Sequence, residues 1–584
     1  MSGGTSRCID PERTAVQFDG FSAEEGRFLL KYLADRPRLA DCALLFGLEA
    51  LSTIPYLFGI GFYSDDWGIR ALLAPYSKQG VGKSFHALVN ADPALLIRPV
   101  QAADFALSFT AFGPHAAAYQ VVNLVLLGIM VVLFYLVLVE LQTGRKLTFV
   151  LALVFGLLPH YSTDRFWVLS QQAALCMVFA FLGIYALLRA TRFEQQHSRK
   201  WEVLAILALV LSVLSYEVAI GLIIASFAAA AWRIYMAVPA SSQRAYTKWA
   251  GIAIATAVLL AVGILKNRIQ TRISYHHHFF THLGALTWHA IVQAVRFNFW
   301  TYCLHMPAVL VALHRRSALT STAVCTAAVI ACIVTAYLWR SMGSCKIPCR
   351  RTCLWLIILG FILFGLGFAL FFPGIEVNFS TAGIANRVAI AAALGASCTL
   401  VAMVGLACSV LKSELARARA FSLAIGLICG MNSLVVSGIG FFWSEAASQQ
   451  AAILKSVLIN VRSLPRNSVL LLDGFCRYTG PGVVFETDWD TSGAIQLTLG
   501  DFSLSGDVVS PNMRFLDAAV ESTIYGQPAG HYAYGDSLFV YNVRRQVLSS
   551  LTSKQAADAY LRAMNPTGDS GCPVAYEGDG ESVF

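Results

Sequence analysis

Apolar runs of about twenty residues constrain this chain more than any other feature, because each is long enough to cross a bilayer as a helix. Two examples are VVNLVLLGIMVVLFYLVLVEL and VAIAAALGASCTLVAMVGLACSVL. Only 13% of the 584 residues are charged, whereas about a quarter are charged in a typical soluble domain. The sequence therefore predicts a polytopic α-helical membrane protein with about 11–13 transmembrane helices.

Charge and turn residues divide the chain into three predicted regions. We expect a cytoplasmic N-terminal segment at 1–42, a multi-spanning membrane domain at 43–442 with a long first external loop at 63–116, and a soluble extracytoplasmic domain at 443–584. Basic loops at 144–146, 189–200 and 233–248 favour the cytoplasm. The basic stretches 314–317 and 339–351 conflict with this rule, because a single apolar span separates them. The membrane concerned is predicted to be a bacterial inner or plasma membrane.

The segment 465–584 differs from the rest in charge and pattern. It carries seven Lys/Arg and fourteen Asp/Glu, a net charge of −7, whereas the remaining chain carries +16. SVLLLDG, GVVFETDW, AIQLTLGD and DSLFVYNV predict short strands separated by turns, so we expect a small α/β domain. Cys476 and Cys572 are its only cysteines, and an extracytoplasmic location would allow them to form a disulfide.

Carboxylates recur where predicted helices meet the external side. Asp65 and Asp66 follow the first apolar run, Asp164 lies in the next external turn, and Glu217 lies in the one after that. Ionisable groups at membrane depth are costly, which makes them candidates for function. The alternative is structural: the pair would begin a solvated loop, and Asp164 and Glu217 would cap or bridge helices.

The order of these motifs resembles the GT-C superfamily of membrane glycosyltransferases, and within it the protein O-mannosyltransferase-like and tetratricopeptide mannosyltransferase-like branches. The shared features are an acidic pair, an Arg-Pro, an Asn in the second helix, a Pro followed by an acid and a Trp, and a later Asn-Arg. Here they are Asp65-Asp66, Arg98-Pro99, Asn123, Pro159 with Asp164 and Trp167, and Asn386-Arg387. The resemblance covers residues 43–440 and is strongest over 61–220.

Two departures limit what can be carried over. Members of those branches often have His near both ends of the second helix, where this chain has Tyr119 or Gln120 and Gly128. No tetratricopeptide array follows the membrane region. A role of those histidines, and the acceptor of that branch, are therefore not transferred to this chain.

The resemblance implies an inverting enzyme that moves a sugar from a polyprenyl-phosphate-linked donor to an extracytoplasmic glycan, lipid or protein acceptor. In such an enzyme we expect Asp65 as general base and Asp66 as its helper, with the reverse assignment as the alternative. The phosphate leaving group needs a cation, and the candidates are Arg98, Lys266, Arg268 and Arg387. Asp164 and Glu217 would bind acceptor hydroxyls. Some GT-C enzymes use a divalent metal and others do not, so Mg or Mn held by Asp65 and Asp164 stays open.

Two other classes compete with this interpretation. A transporter or flippase of lipid-linked glycans would also contain buried acids, but it would place them near mid-membrane, and no inverted repeat is visible. A membrane-anchored glycan-binding protein would use the C-terminal domain alone. A glycosyltransferase should gather Asp65, Asp66 and Asp164 in one outward-facing cavity. Membrane lipids are expected partners, and nucleic acid is not, because no basic stripe with interleaved aromatics occurs.

Overall fold

The structure is a computed structural model that describes residues 36–192, 198–237, 243–273, 288, 291–342, 348–371, 379–461, 463–511, 513–524 and 527–564. It divides the chain into two compact units, residues 1–44 and 45–584. The candidate site and the C-terminal strands belong to the second unit.

Nineteen α-helices are described in these ranges. They are α1 Pro37–Thr53, α2 Asp65–Leu73, α3 Val81–Ala91, α4 Pro93–Leu96, α5 Pro99–Phe112, α6 Ala116–Glu140, α7 Arg145–Leu157, α8 Thr163–Phe166, α9 Gln171–Ala190, α10 Ser198–Ser215, α11 Ile220–Ala237, α12 Gln243–Ile273, α13 Met306–Arg315, α14 Ser321–Met342, α15 Arg350–Phe368, α16 Ala393–Cys408, α17 Glu414–Asn460, α18 Asp488–Leu499 and α19 Lys554–Met564. Short 3-10 helices lie at Ala74–Tyr76, Pro159–Tyr161 and Ile384–Ala389, and a π-helix lies at Val295–Leu304.

Six helices among the described residues are long and apolar enough to cross a membrane. They span Ala116–Glu140, Gln171–Ala190, Tyr246–Ile269, Ser321–Arg340, Arg350–Phe368 and Glu414–Asn460. Shorter apolar helices at Ile220–Met236, Met306–Arg315 and Ala393–Cys408 accompany them. The predicted class, an integral α-helical membrane protein followed by a small α/β region, is confirmed. The count of 11–13 crossings and the orientation stay predictions.

The first predicted external loop is itself helical, since it folds into α2 to α5. Helix α1 ends at Thr53, well before the predicted external loop begins at residue 63, because Pro55 disfavours helical geometry in the residue before it. Pro93 and Pro99 open α4 and α5, where a missing backbone N–H costs nothing. The Asp92 side chain caps α4 by accepting from the Ala94 N–H at 2.8 Å.

Helix α17 joins the membrane domain to the C-terminal domain as one rod of 47 residues. The sequence predicts a domain boundary at 442/443, whereas α17 runs through that point without a break. No proline interrupts Glu414–Asn460, so no backbone N–H is lost along it. Near the C-terminal end of α17 the Gln450 amide donates to the Val484 carbonyl at 2.6 Å, and this hydrogen bond connects the helix to the C-terminal domain.

The C-terminal domain is built on a four-stranded sheet of order β4-β1-β8-β9. Its strands are β1 Val469–Asp473, β4 Ser505–Val508, β8 Leu538–Asn542 and β9 Val547–Ser550. Strand β1 pairs in parallel with β4 and β8, and β9 is antiparallel to β8. A hairpin of β2 Tyr478–Thr479 and β3 Gly482–Val483, and an antiparallel sheet of β5 Arg514–Phe515, β6 Ala519–Ile524 and β7 Gln527–Ala533, complete it.

One strand prediction is wrong, because AIQLTLGD lies mostly in helix α18. A capping box starts this helix: the Thr487 side chain accepts from the Trp489 N–H at 3.1 Å, and Asp490 accepts from the Thr487 N–H at 2.9 Å. Gly500, at φ 70°, ends it in the left-handed conformation. These local end signals outweigh the β propensity of the residues between them.

Candidate active site

A cavity of about 400 Å³ opens where helices α2 to α5 meet the C-terminal domain. Its polar wall consists of six side chains that come from five separate parts of the chain: Asp65, Asp92, Arg98, Gln101, Gln172 and Arg387. Trp489 of α18 contributes an aromatic wall. Two carboxylates and two guanidiniums thus face one space large enough for a sugar ring and a phosphate.

Asp65 is the first residue of α2 and is half-buried in the cavity wall. Within the described part of the chain its carboxylate has no hydrogen-bond or ion-pair partner. Burial raises its pKa to about 6; the charge of Arg387 opposes this shift, and the charges of Glu486 and Asp92 add to it. Such a carboxylate is ionised at neutral pH and is a stronger base than an ordinary aspartate.

Asp66 has different surroundings although it is the next residue. It is only 4% exposed, and its two oxygens accept from the backbone N–H groups of Tyr63 at 3.0 Å and Leu169 at 2.9 Å. Burial raises the pKa of its carboxyl, and these two donors lower it. Asp66 does not line the cavity. The geometry favours a positioning role, in which Asp66 ties the start of α2 to the loop before α9.

Arg387 faces Asp65 from the 3-10 helix Ile384–Ala389. Its guanidinium lies 4.7 Å from the Trp167 ring centroid, and its buried Nε has no partner among the described residues. The preceding Asn386 anchors the helix by donating to the carbonyls of His160 and Thr381, each at 2.7 Å. The Asn-Arg motif therefore combines one anchoring side chain with one cation directed at the cavity.

Arg98 and Glu217 form a bidentate pair across the cavity rim. The Arg98 Nη2 and Nε atoms lie 2.9 and 3.1 Å from Glu217 Oε2. Lys266 Nζ lies 2.6 Å from Oε1 of the same carboxylate. Burial raises the pKa of Glu217, but the two cations overcome that effect and hold it below its usual range. Glu217 is thus a counter-ion that fixes Arg98, and one net positive charge remains for a ligand.

Asp164 lies behind the cavity wall and is fully buried. Ser170 donates to its Oδ1, and the Asn123 amide donates to its backbone carbonyl at 2.7 Å. Burial raises its pKa well above the usual range, against the opposing effects of Ser170, Arg387 and Arg165. Of the three acids expected to share one cavity, Asp65, Asp66 and Asp164, only Asp65 lines it, so that expectation is wrong.

Lys266 and Arg268 also fall outside the cavity lining. Lys266 is buried against Glu217 and the Val213 carbonyl, whereas Arg268 is exposed on α12. No group of three or more His, Cys, Asp or Glu that could hold a metal occurs among the described residues. Asp65 and Asp164, the two predicted metal ligands, do not share the cavity lining. A metal stays a prediction, and no step below passes through one.

The C-terminal domain completes the cavity, which the sequence did not predict. Helix α18 packs on α2 so closely that a Cβ on Gly493 would lie 2.4 Å from the Trp67 carbonyl oxygen. Glu486, just before α18, accepts from the Ser64 hydroxyl at 3.4 Å. Trp489, Gln101 and Gln172 were all missed. No spacing or composition signal marks them, because tertiary packing alone brings them to Asp65.

Cys476 is disulfide-bonded. Cys572 lies outside the described residues, so the predicted pairing of these two cysteines stays a prediction.

No protein-family model matches the sequence, and no curated protein is significantly similar to it. Among solved structures, the chain is similar to the Archaeoglobus fulgidus oligosaccharyltransferase tethered with an acceptor peptide, at 12% identity and a TM-score of 0.37, over 81% of this chain and 64% of that chain. It is also similar to ArnT from Cupriavidus metallidurans bound to undecaprenyl phosphate, at 12% identity and a TM-score of 0.33, over 83% and 86% of the two chains.

The chain thus spans about two thirds of the length of that oligosaccharyltransferase. The roles of individual residues rest on the geometry of this chain.

Proposed function

We propose that this protein is a membrane glycosyltransferase that transfers a sugar from a polyprenyl-phosphate-linked donor to an acceptor hydroxyl, with inversion at the anomeric carbon. The observation that carries the proposal is the carboxylate of Asp65, which has no partner among the described residues and shares one cavity with Arg98 and Arg387. This combination supplies a base and two cations at the place where membrane and external domain meet.

In the proposed reaction the acceptor hydroxyl oxygen attacks the anomeric carbon. The bond between that carbon and the phosphate oxygen breaks, and the polyprenyl phosphate leaves with the bonding electrons. Asp65 takes the hydroxyl proton as the new bond forms, and a base of this kind contributes about 10²–10⁴-fold to a rate. Arg98 and Arg387 stabilise the charge that develops on the phosphate.

Two buried glutamines give the cavity a means of binding sugar hydroxyls. Gln101 and Gln172 are each 3% exposed, and the side-chain oxygen of each has no hydrogen-bond partner in the described residues. A buried polar atom without a partner costs free energy, which a ligand hydroxyl would recover. The exposed indole of Trp489 offers a flat apolar surface for the face of a sugar ring.

The acceptor class remains a glycan, lipid or protein bearing a hydroxyl, and the donor is proposed only as a polyprenyl-phosphate sugar. The transporter alternative gains no support from the acids described here. Asp65 begins a helix outside the long apolar spans, Asp164 lies in the four-residue helix α8, and Glu217 lies in the turn between α10 and α11.

The experiment is single-turnover sugar transfer in proteoliposomes that contain the purified full-length protein and a panel of radiolabelled undecaprenyl-phosphate-linked sugars. Release of undecaprenyl phosphate measures donor use. We expect Asp65→Asn to lower the transfer rate by about 10²–10⁴-fold. The matched control is Asp92→Asn, which alters the other cavity carboxylate but keeps a good N-cap for α4, and it should lower the rate far less. Equal rates for Asp65→Asn and the wild type would reject the proposal.

A further inference from the structure

We propose that a groove between α14 and α17, at the membrane face opposite the cavity, binds an anionic phospholipid. The groove has a volume of about 460 Å³. Its lining is mostly apolar and includes Ala331, Thr335, Trp339, Arg340, Leu423 and Leu427. The proposal is independent of the transferase activity, because none of these residues lines the cavity that contains Asp65.

The length of α17 places the groove at the far membrane face. The Tyr63 hydroxyl donates to the Trp443 carbonyl at 2.6 Å, so Trp443 lies level with the start of α2. Arg419 precedes Trp443 by 24 residues on the same helix, which corresponds to about 36 Å at the α-helical rise. This distance exceeds the ~30 Å thickness of the hydrocarbon core. Arg419 therefore lies near the opposite headgroup layer.

Close backbone packing explains why a groove exists there. A Cβ on Gly426 would lie 2.8 Å from the Ala331 carbonyl oxygen, and one on Gly430 would lie 2.8 Å from that of Ala327. Helices that touch through glycines leave a furrow beside the contact, since no side chain fills it. Three side chains of the groove are well exposed: Leu423 by 50%, Leu427 by 51% and Trp339 by 47%. Leu423 and Leu427 form apolar walls suited to an acyl chain.

Charge identifies the headgroup. Arg340 lines the groove, and the Arg419 guanidinium lies 5.1 Å from the Trp339 ring centroid. Neither arginine has an ion pair in the part of the chain that the structure describes. Arg145 donates to the Tyr337 hydroxyl at 3.3 Å, which brings the basic loop 144–146 to the same end. Two guanidiniums without carboxylate partners beside an interfacial tryptophan favour a lipid phosphate.

The charge of the lipid headgroup should therefore determine how tightly a lipid binds in this groove. A phosphatidylglycerol offers a phosphate without a cation, whereas the choline of phosphatidylcholine would lie among these guanidiniums and repel them. Basic residues near a membrane surface each strengthen the binding of anionic lipid by about five-fold. An anionic lipid should consequently bind this groove more tightly than a zwitterionic lipid with identical acyl chains.

The test is native mass spectrometry of the full-length protein titrated with dioleoyl phosphatidylglycerol or dioleoyl phosphatidylcholine. We expect the wild type to bind one phosphatidylglycerol at least tenfold more tightly than phosphatidylcholine. Arg340→Gln/Arg419→Gln should remove most of that preference, about five-fold for each arginine. Ala336→Trp, which fills the groove without altering charge, should weaken both lipids.

The matched control is Arg315→Gln/Arg316→Gln, which removes two exposed arginines just before α14, at the other end of this helix. It should leave lipid binding unchanged, and thermal melting should show that every variant folds. Equal binding of the two lipids by the wild type would overturn the proposal, as would equal losses in the two arginine variants. A dimer that Ala336→Trp dissociates would instead identify a second copy of the chain as the occupant, and this too would overturn it.

Discussion

The start of α2 and the turn between α10 and α11 carry the same sequence signal, an acid beside an apolar helix, but the structure gives the two acids opposite properties. Asp65 has no partner in the described residues, and burial raises its pKa to about 6. Glu217 is bound by Arg98 and Lys266, which hold its pKa below the usual range. The comparison teaches that neighbours, and not position in the sequence, decide whether an acid is available as a base.

The largest effect among the variants that probe this difference should come from Arg387. It is the cation that faces Asp65, whereas Glu217 has two cations of its own. Arg387→Gln keeps a polar side chain of similar length but removes the charge that would stabilise the leaving phosphate, so we expect transfer to fall by about 10²-fold. Steady-state kinetics in proteoliposomes would measure it. Arg268→Gln is the control, because Arg268 does not line the cavity, and an equal loss in both variants would contradict the assignment.

A second variant alters the surroundings of Asp65 and leaves those of Glu217 intact. In Gly493→Ala the new Cβ would meet the Trp67 carbonyl and the Gly68 nitrogen, at 2.4 and 2.7 Å, and both are backbone atoms that cannot move aside. Forcing α18 away from α2 should cost about 2 kcal/mol, which is roughly a thirty-fold change in the unfolding equilibrium. Thermal unfolding would show the loss. The control is Gly500→Asn, at an open helix end, and a Gly493→Ala protein as stable as the wild type would show that the two helices separate easily.

A smaller effect should follow when the paired acid is changed. Glu217→Gln leaves Arg98 and Lys266 facing each other without a counter-ion, and Arg98 loses the carboxylate that fixes its position. Because Glu217 is not itself a base in this proposal, we expect about a tenfold loss of transfer, expressed mainly in the KM for the donor. A loss in kcat as large as that of Asp65→Asn would show that the two acids have equivalent roles, and it would contradict the distinction drawn between Asp65 and Glu217.

The sequence predicted the class of fold and singled out Asp65 and Arg387, which the structure places in the cavity lining, because these features depend on local patterns. Long apolar runs predict membrane helices regardless of how they pack, and Asp65 and Arg387 lie in short motifs of a recognisable order. The sequence left the order of the roles of Asp65 and Asp66 open, since one of the two backbone N–H groups that bind Asp66, that of Leu169, lies in a loop about a hundred residues away. Trp489 was missed for the same reason, because it reaches the cavity only through the close contact of α18 with α2.

The conflict between the basic stretches 314–317 and 339–351 could also be resolved only from the structure. A Cβ on Gly438 would lie 2.9 Å from Leu313, whereas one on Gly426 would lie 2.8 Å from the Ala331 carbonyl. Helix α14 therefore runs antiparallel to α17, with Arg315 and Arg316 near the cavity end and Arg340 at the far end. The positive-charge rule alone could not decide this, because arginines occur at both ends.

The pH dependence of single-turnover transfer tests the role of Asp65 most directly. Only the carboxylate form can accept a proton, so the wild-type rate should be constant above about pH 7 and fall tenfold per unit below the pKa of about 6. Because the pKa of Asp65 is raised in the folded protein, protonation of Asp65 stabilises the folded state. Acid unfolding driven by this group therefore cannot explain the loss of transfer rate at low pH. The midpoint should move up in Arg387→Gln and down in Glu486→Gln, because these variants remove charges of opposite sign. A rate independent of pH between 5 and 8, or one midpoint shared by both variants, would contradict Asp65 as the base.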